Sequence, residues 1–353
     1  MARIDSLLSY LKEHDCSDLH LAAGLEPRVR QKGSLRNIED QPVLTDEQLR
    51  GLLEEIALPK HWEEYCTTND LDFAYGLEGV ARFRANYFVQ QNGAGAVFRI
   101  IPEDIITMEQ LRLADAIETL AHLDQGLVLV TGPTGSGKST TLAAIVDKIN
   151  KTYPKHIVTI EDPVEFVHQH QTATFSHREV GLHTLSFENA LRSGIRQDAD
   201  VILVGEMRER ETISLAITAA EMGMLVFGTL HTNNAAKTID RIIDAFPADE
   251  QNMIRLSLSE SLSGIVSQLL LKTADGKGRA AANEILLKTP GLPNVIREAN
   301  NQMLYSIIQS GKKEGMQSMD DVLFQYAKDG VVTPHDAYMK ATDKQRFEPL
   351  LKG

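Results

Sequence analysis

The stretch "GPTGSGKST" at residues 132–140 constrains the fold of this chain more than any other. It follows the apolar run "GLVLV" and fits the pattern G-x-x-x-x-G-K-[ST] of a phosphate-binding loop, or P-loop. Glycines let the backbone curl so that successive N–H groups point at an anion, and the following helix adds the positive end of its dipole. The stretch therefore predicts a buried strand, a P-loop and a helix, in that order.

The same loop predicts ATP as ligand and Mg²⁺ as its ion. Lys138 places a positive charge on the β- and γ-phosphates, and Ser139 offers a hydroxyl to Mg²⁺. The predicted nucleotide-binding residues are Gly132, Pro133, Thr134, Gly135, Ser136, Gly137, Lys138, Ser139 and Thr140.

Four short apolar runs end in polar residues: "GLVLVTG", "HIVTIED", "VILVGE" and "LVFGTLH". Helical stretches lie between or after them, at 139–150, 186–197, 209–222 and 234–245. Apolar strands that alternate with helices predict an α/β fold, with a parallel sheet covered on both faces. Because ligands bind beyond the carboxyl ends of such strands, we expect the four polar endings to share one crevice. The remainder, 247–353, is predicted to be mostly helical.

Carboxylates stand at two of these strand ends. Glu206 ends "DADVILVGE", and Glu161 and Asp162 end "HIVTIED", with Glu165 shortly after. A carboxylate at such a position can hold Mg²⁺ through water or orient an attacking water. We expect this role for Glu161 and Glu206, whereas Asp162 and Glu165 can equally be ordinary solvated acids.

Five histidines are considered for a functional role, one at a strand end and four close together in the sequence. His231 ends the fourth run, where it or Thr232 can sense the γ-phosphate. Four others lie close together in the sequence, namely His168, His170, His177 and His183. No cysteine accompanies them and no HExxH spacing occurs, so they favour structural roles over metal binding.

The first hundred residues have a different pattern. A helix is predicted near the start because four apolar residues share one face: Ile4, Leu7, Leu8 and Leu11. The stretch "ARFRANYFVQ" (81–90) alternates with period two, and the turn "QNGAG" and the strand "AVFRIIP" follow. Residues Ala81, Phe83, Ala85, Tyr87 and Val89 are predicted on one face, and Arg82, Arg84, Asn86 and Phe88 on the other. This part therefore predicts an α+β domain with an antiparallel sheet.

Pro102 and the acidic "PEDI" mark a domain boundary. We expect an N-terminal domain at 1–101, a linker at 102–125 and a C-terminal domain at 126–353.

Composition and charge indicate where the protein is located and which partners it does not bind. The two cysteines cannot form a disulfide framework, the charged N-terminus does not fit a signal peptide, and no apolar run is long enough to span a membrane. A net charge of −13 argues against a broad nucleic-acid surface, and the chain is predicted to be cytoplasmic.

The sequence resembles the secretion ATPases of type II and type IV pilus systems, and most of all the branch that retracts pili. The resemblance covers nearly the whole chain. "IEDPVEFVH" (160–168) resembles the family's Asp box, "DVILVGEMR" (200–208) its Walker B motif and "LVFGTLHT" (225–232) its His box. "SDLHLAAGLEPRVRQKG" (17–33) and "RFRANYFVQQNGAGAVFRIIP" (82–102) resemble its N-terminal PAS-like domain.

The resemblance implies a RecA-like ATPase domain preceded by a smaller PAS-like domain, joined by a flexible linker and assembled as a homohexamer. ATP would bind between subunits. Glu161 would act as general base, Glu206 as the Walker B acid and a Mg²⁺ ligand, and His231 as nucleotide sensor. An arginine would reach a neighbouring subunit's triphosphate, and the candidates are Arg82, Arg84 and Arg99.

The resemblance also implies pilus retraction and twitching motility. The partners would be an inner-membrane platform protein and the pilin system, placing the ring at the inner face of the cytoplasmic membrane through its partner, with no direct nucleic acid. The chain departs from the retraction branch at Glu209 in "MRERET" and at Leu292 and Pro293 in "GLPNVIRE". The alternatives are an accessory or non-retracting paralogue, a DNA-transfer ATPase and a P-loop phosphotransferase of a small substrate. A basic pore would favour the second, and a monomer the third.

Overall fold

The computed structural model describes residues 2–101 and 104–351 of the 353-residue chain. It divides into two compact units, each with its own sheet. The first comprises Met1–Asp104 together with Asp162–Val167, and the second comprises Ile105–Glu161 and His168–Gly353. Pro102 and Glu103, where the sequence predicts a boundary, lie outside the described residues.

The first unit has the predicted α+β fold with an antiparallel sheet. The helices of its described part are α1 (Asp5–Glu13), α2 (Asp46–Glu54) and α3 (Pro59–Thr68). The strands are β1 (Asp18–Ala22), β2 (Arg28–Gln31), β3 (Ser34–Asn37), β4 (Asp70–Leu77), β5 (Ala81–Gln90) and β6 (Gly93–Ile101). They form one sheet in the order β3-β2-β1-β6-β5-β4.

Strand β5 shows how the sequence pattern builds this unit. Four residues of its apolar face are buried: Ala81, Phe83, Ala85 and Tyr87. Val89, the fifth residue predicted on that face, lies next to the end of the strand and is 39% exposed. The four predicted core residues of the first helix are all buried, so burial of both apolar faces against each other forms the core.

The second unit is an α/β fold around a seven-stranded sheet. Its strands are β7 (Gly126–Thr131), β8 (His156–Glu161), β9 (Thr174–Glu179), β10 (Val201–Val204), β11 (Leu225–Leu230), β12 (Leu262–Lys272) and β13 (Arg279–Leu287). Its earlier helices are α4 (Asp115–Thr119), α5 (Lys138–Thr152), α6 (Phe187–Gly194), α7 (Arg210–Glu221), α8 (Ala235–Asp244) and α9 (Gln251–Ser261). The later ones are α10 (Leu292–Arg297), α11 (Met303–Ser310), α12 (Met319–Lys328), α13 (Pro334–Lys340) and α14 (Lys344–Leu351). Within residues 2–101 and 104–351, no helix is both long and apolar enough to cross a membrane.

The four apolar runs form the parallel strands that their pattern predicts. The sheet order is β13-β12-β7-β11-β10-β8-β9, and β7, β11, β10 and β8 pair in parallel. Every residue of β7, β10 and β11 is buried, as expected for strands covered on both faces. The four predicted helical stretches correspond to α5, α6, α7 and α8.

Three strands of this sheet are not predicted, and the expectation of a mostly helical remainder needs correction. Strands β12 and β13 form an antiparallel hairpin within 247–353, and β12 also pairs in parallel with β7. The run "LSGIVSQLLLK" is apolar enough for either a buried helix or a strand, and the pairing with β7, distant in sequence, decides between them. Strand β9 has the mostly polar sequence TFSHRE, so it lacks the apolar run that predicts the other parallel strands.

Glu284 on β13 joins the hairpin to two helices. Its side chain accepts hydrogen bonds from the backbone N–H of Ala235 at 2.8 Å and of Met319 at 3.4 Å, the first residues of α8 and α12. Burial raises the pKa of Glu284, and these two hydrogen bonds oppose the rise. A carboxylate facing two helix N-termini satisfies N–H groups that the helices themselves leave unpaired.

Candidate nucleotide-binding and catalytic site

The P-loop lies between β7 and α5, as predicted. Gly137, directly before the helix, has a φ of 87°, which glycine adopts without strain. Gly132 meets a different constraint, because a Cβ there would lie 2.3 Å from the backbone carbonyl oxygen of Gln268 on β12. Glycine at position 137 therefore allows the backbone conformation of the loop, and glycine at position 132 allows the loop to approach β12 closely.

The loop presents positive charge at its helix end. Lys138 is the first residue of α5, and its ammonium donates to the carbonyl oxygens of Gly132 at 3.0 Å and Pro133 at 3.2 Å. Ser139 and Thr140 follow in the first turn, half-buried. An ammonium, a helix N-terminus and hydroxyl groups thus surround the place where a phosphate would bind.

The two predicted acids stand at the ends of neighbouring strands, β8 and β10. Glu161 is the last residue of β8 and is 8% exposed. Gly205 follows β10, and a Cβ on it would lie 3.3 Å from Cγ of Glu161. Since Glu206 comes next in the chain, the missing side chain at position 205 leaves room for Glu161 beside it. Glu161 therefore packs against the residue that directly precedes Glu206.

His231 and Glu206 are in direct contact. His231 Nε2 lies 2.8 Å from Glu206 Oε1, and Arg208 Nε hydrogen-bonds to the same carboxylate oxygen. The register explains the meeting, because Val204 of β10 is opposite Gly228 of β11 and the chain continues past both strands at the same edge. The side chain of Glu206 is 22% exposed, so the pair is open to solvent and to a ligand.

A cavity of about 530 Å³ lies between this pair and the P-loop. Its lining residues are Thr134, Glu206, Met207, Arg208, Leu230, His231, Thr232 and Arg241. The hydroxyl of Thr232 shares a hydrogen bond of 2.7 Å with Thr238 on α8, which fixes its position on the cavity wall. The cavity therefore joins a phosphate cradle to an acid–histidine pair.

The three candidate arginines belong to the first unit. Arg84 makes two hydrogen bonds to Asp72, at 3.1 and 2.6 Å, and this contact raises the pKa of Arg84. Arg99 Nε donates to the buried carboxylate of Asp18 at 2.8 Å. Arg82 lies on β5, half-buried. Arg84 and Arg99 are thus held by acids of their own unit.

Asp162 and Glu165, whose roles the sequence leaves open, lie in the segment that groups with the first unit. Both raise the pKa of Arg84 further, through their negative charge. These two acids are therefore placed with the arginine-bearing unit, although they directly follow Glu161 in the chain.

Each of the four clustered histidines contacts a residue of strand β9. His170 Nδ1 accepts the backbone N–H of Phe175 at 3.0 Å, and His183 Nδ1 that of Glu179, also at 3.0 Å. His168 is buried and stacks on Phe175, with ring centroids 4.8 Å apart, and His177 stacks on the same Phe175 ring at 5.2 Å. These contacts hold β9 and the segment before it.

Acid should destabilise the second unit through His168. Burial, with a smaller contribution from His177, lowers the pKa of His168 to about 4 from an ordinary value of 6.5. As the pH falls from 6.5 to 4 the unfolded chain binds this proton first, so the free energy of unfolding falls by about 3 kcal/mol. Urea-unfolding midpoints measured across this range should show a shallower pH slope for His168→Phe than for wild type. Identical slopes would show that His168 does not titrate in this way.

Comparison with known proteins connects this site to a family. The family described as "Type II/IV secretion system protein" matches residues 69–324. The chain belongs to this family. It is 49% identical over 344 residues to the type IV pilus retractation ATPase PilT of Pseudomonas aeruginosa, covering 98% of this chain and 99% of that one. It is 48% identical over 319 residues to a twitching motility protein of Neisseria gonorrhoeae, covering 90% and 85%.

A solved structure agrees over the full length of this type II/IV secretion system protein. It is the crystal structure of the pilus retraction motor PilT with bound ADP, with a TM-score of 0.91, 43% sequence identity and coverage of 99% of each chain. The predicted fold class, a P-loop α/β domain after a smaller α+β domain, is therefore confirmed, as is the resemblance to the family.

Three side chains of the site are not found by the sequence reasoning. Arg208 and Arg241 line the cavity, but a charged residue after a strand or near a helix end gives no signal of its own. Gln268 contacts the P-loop from β12. Its signal is a glutamine in the middle of an apolar run, since a buried amide needs hydrogen-bond partners.

Proposed function

We propose that this chain is an ATPase motor that assembles as a homohexameric ring and uses ATP hydrolysis to retract type IV pili. The contact of Glu206 with His231 beside the P-loop carries the proposal. A P-loop by itself supports nucleotide binding, whereas an acid and a histidine from adjacent strand ends supply groups for hydrolysis. Extensive identity to a pilus retractation ATPase and to a twitching motility protein supports the mechanical role.

ATP binds with its phosphates in the cradle of residues 132–140. Lys138 exchanges its contacts with two carbonyl oxygens for contacts with phosphate oxygens. The hydroxyl of Ser139 and the carboxylate of Glu206 are oxygen donors, which suit Mg²⁺, an ion that usually takes few protein ligands together with phosphates and waters. When bound, Mg²⁺ neutralises charge on the phosphates.

Glu161 and Glu206 have different roles toward the attacking water: one accepts its proton and the other orients it. Glu161, shielded from solvent beside Gly205, accepts the proton as the water attacks the γ-phosphorus and the bond to the β-phosphate oxygen breaks. Glu206, as the Walker B acid, orients the water and would hold the metal ion. His231, bonded to Glu206, senses whether the γ-phosphate is present.

In the ring, each nucleotide receives an arginine from the neighbouring subunit. Arg82, Arg84 and Arg99 are the candidates to reach a neighbour's triphosphate, where an arginine offsets the charge that develops during transfer. The domains 1–101 and 126–353 move against each other about the linker 102–125 as ATP turns over. The ring works at the inner face of the cytoplasmic membrane by docking on a platform protein of the pilus, removes pilins from its base, and needs no nucleic acid.

Two measurements test this function. The purified protein should release phosphate from ATP in the presence of Mg²⁺ under conditions where it assembles. Deleting the gene in its host should leave more surface pili and abolish twitching movement. Loss of pili would instead indicate a role in assembly, and unchanged pili and movement would favour the accessory paralogue.

Arg84→Ala should lower ATP turnover of the assembled ring about tenfold or more. The matched control is Arg50→Ala, which removes a similar surface ion pair, that of Arg50 with Asp46, from the same unit. Mixing Arg84→Ala subunits with subunits that carry Lys138→Ala should restore part of the turnover, because an intact arginine then faces an intact P-loop. If mixing restores nothing, Arg84 does not act on a neighbour.

A further inference from the structure

We propose that Gln268 is a positioning residue that sets the P-loop for phosphate binding. It lies on β12, far from the loop in sequence, and is 2% exposed. The inference deepens the proposed function and rests on it, since it concerns how the same cradle takes the phosphates of ATP.

Both ends of the Gln268 amide are engaged. Its Nε2 donates to the backbone carbonyl oxygen of Ser136 at 2.6 Å, and its Oε1 accepts from Oγ1 of Thr141 on α5 at 2.8 Å. These two contacts fix which way the amide faces, because the donor end meets an acceptor and the acceptor end meets a hydroxyl. One side chain thus links the loop to the helix that follows it.

The bond to Ser136 orients a peptide group in the middle of the loop. In a planar trans peptide the carbonyl and the N–H point in opposite directions. Because Gln268 holds the carbonyl of Ser136, the N–H of Gly137 in the same peptide group points away from Gln268. Inward-pointing N–H groups are what a P-loop uses to bind phosphate.

The glycines of the motif pack on the same residue. A Cβ at Gly132 would lie 2.3 Å from the backbone carbonyl oxygen of Gln268, and a Cβ at Gly137 would lie 2.8 Å from its Nε2. Next to it, Ser267 Oγ lies 2.9 Å from Oγ1 of Thr131, the last residue of β7. Strand β12 therefore contacts the loop where it leaves β7 and where it enters α5, and Gln268 makes the polar contact with Ser136.

The test compares a substitution that removes both hydrogen bonds of the Gln268 amide with one that removes only the bond to Thr141. Gln268→Met keeps the length of the side chain but cannot donate to Ser136, so the affinity for ADP should fall about tenfold. Thr141→Val removes the hydroxyl that bonds to Oε1 and spares the bond to the loop, so the affinity should change less than about twofold. Titration with a fluorescent ADP derivative gives both values, and thermal melting shows whether each variant is folded.

The comparison separates positioning from general stability. Both variants lose the bond between Gln268 and Thr141, and only Gln268→Met also loses the bond to Ser136, so the difference between their ADP affinities reports the contact with the loop. In a merely structural role, the affinity of each variant would fall only in step with its melting temperature. Wild-type ADP affinity in Gln268→Met, or equal losses in both variants, would overturn the inference. If Gln268→Met does not fold, Gln268→Leu takes its place, since it also removes both hydrogen bonds and adds no charge beside the phosphates.

The readout also separates this inference from the proposed function. ADP binding needs no turnover, so it can be measured even if the wild-type protein releases no phosphate from ATP. In an active enzyme, Gln268→Met should raise KM for ATP more than it lowers kcat, because the cradle holds substrate and transition state alike.

Discussion

Replacing Glu206 by glutamine should leave ATP bound while its hydrolysis falls by about a hundredfold or more. Glutamine has the same shape but no negative charge, so it neither holds Mg²⁺ nor orients the water as a carboxylate does. It also loses the ion pair with Arg208 and, when the histidine is protonated, with His231. Phosphate release under saturating ATP measures the loss, and ADP or ATP titration measures the retained affinity.

Glu209→Gln is the matched control for this prediction. Glu209 is an exposed acid three residues further along the chain, and its side chain makes no cap contact at the start of α7. Its substitution should leave turnover within about twofold of wild type. If Glu206→Gln hydrolyses ATP at a similar rate to this control, the catalytic assignment of Glu206 is wrong.

The second large effect is expected for Lys138→Ala, which should weaken ATP and ADP binding by about a hundredfold. In the proposed ATP-bound state the ammonium makes charge-assisted hydrogen bonds to phosphate oxygens. Such bonds are worth about 1.5–3 kcal/mol each, and about 1.4 kcal/mol is a factor of ten. Calorimetric titration with ADP measures the loss directly.

Lys151→Ala serves as the control for the lysine. Lys151 lies in the last turn of the same helix and pairs with Asp147 at 2.6 Å, so its removal changes the net charge equally without touching the loop. Equal affinity of the Lys138 and Lys151 variants for ADP would show that the loop does not bind phosphate through its lysine.

The fold could be predicted wherever the signal was local. About ten residues of sequence are enough to recognise the P-loop, each of the four apolar runs and the alternation of β5. Periodicity and glycine placement are signals of that range. Strands β12 and β13 could not be predicted in this way. Their apolar run fits a helix or a strand, and only pairing with β7, more than a hundred residues away, decides it.

The residues of the candidate site likewise fall into those that local sequence predicts and those that depend on contacts between distant segments. Glu161, Glu206 and His231 stood out because strand ends of a parallel sheet share one edge. Gln268 did not, since its partners Ser136 and Thr141 are 132 and 127 residues away in the chain. Contacts between distant segments follow from the packed structure, and no motif spacing encodes them.

The hairpin of β12 and β13 serves both walls of the cavity at once. Gln268 on one strand steadies the loop, and Glu284 on the other anchors the start of α8, the helix that follows His231. A substitution in either strand would also disturb its pairing partner and thus the opposite wall. The changes in the free energy of unfolding caused by two substitutions, one in each strand, would therefore not simply add.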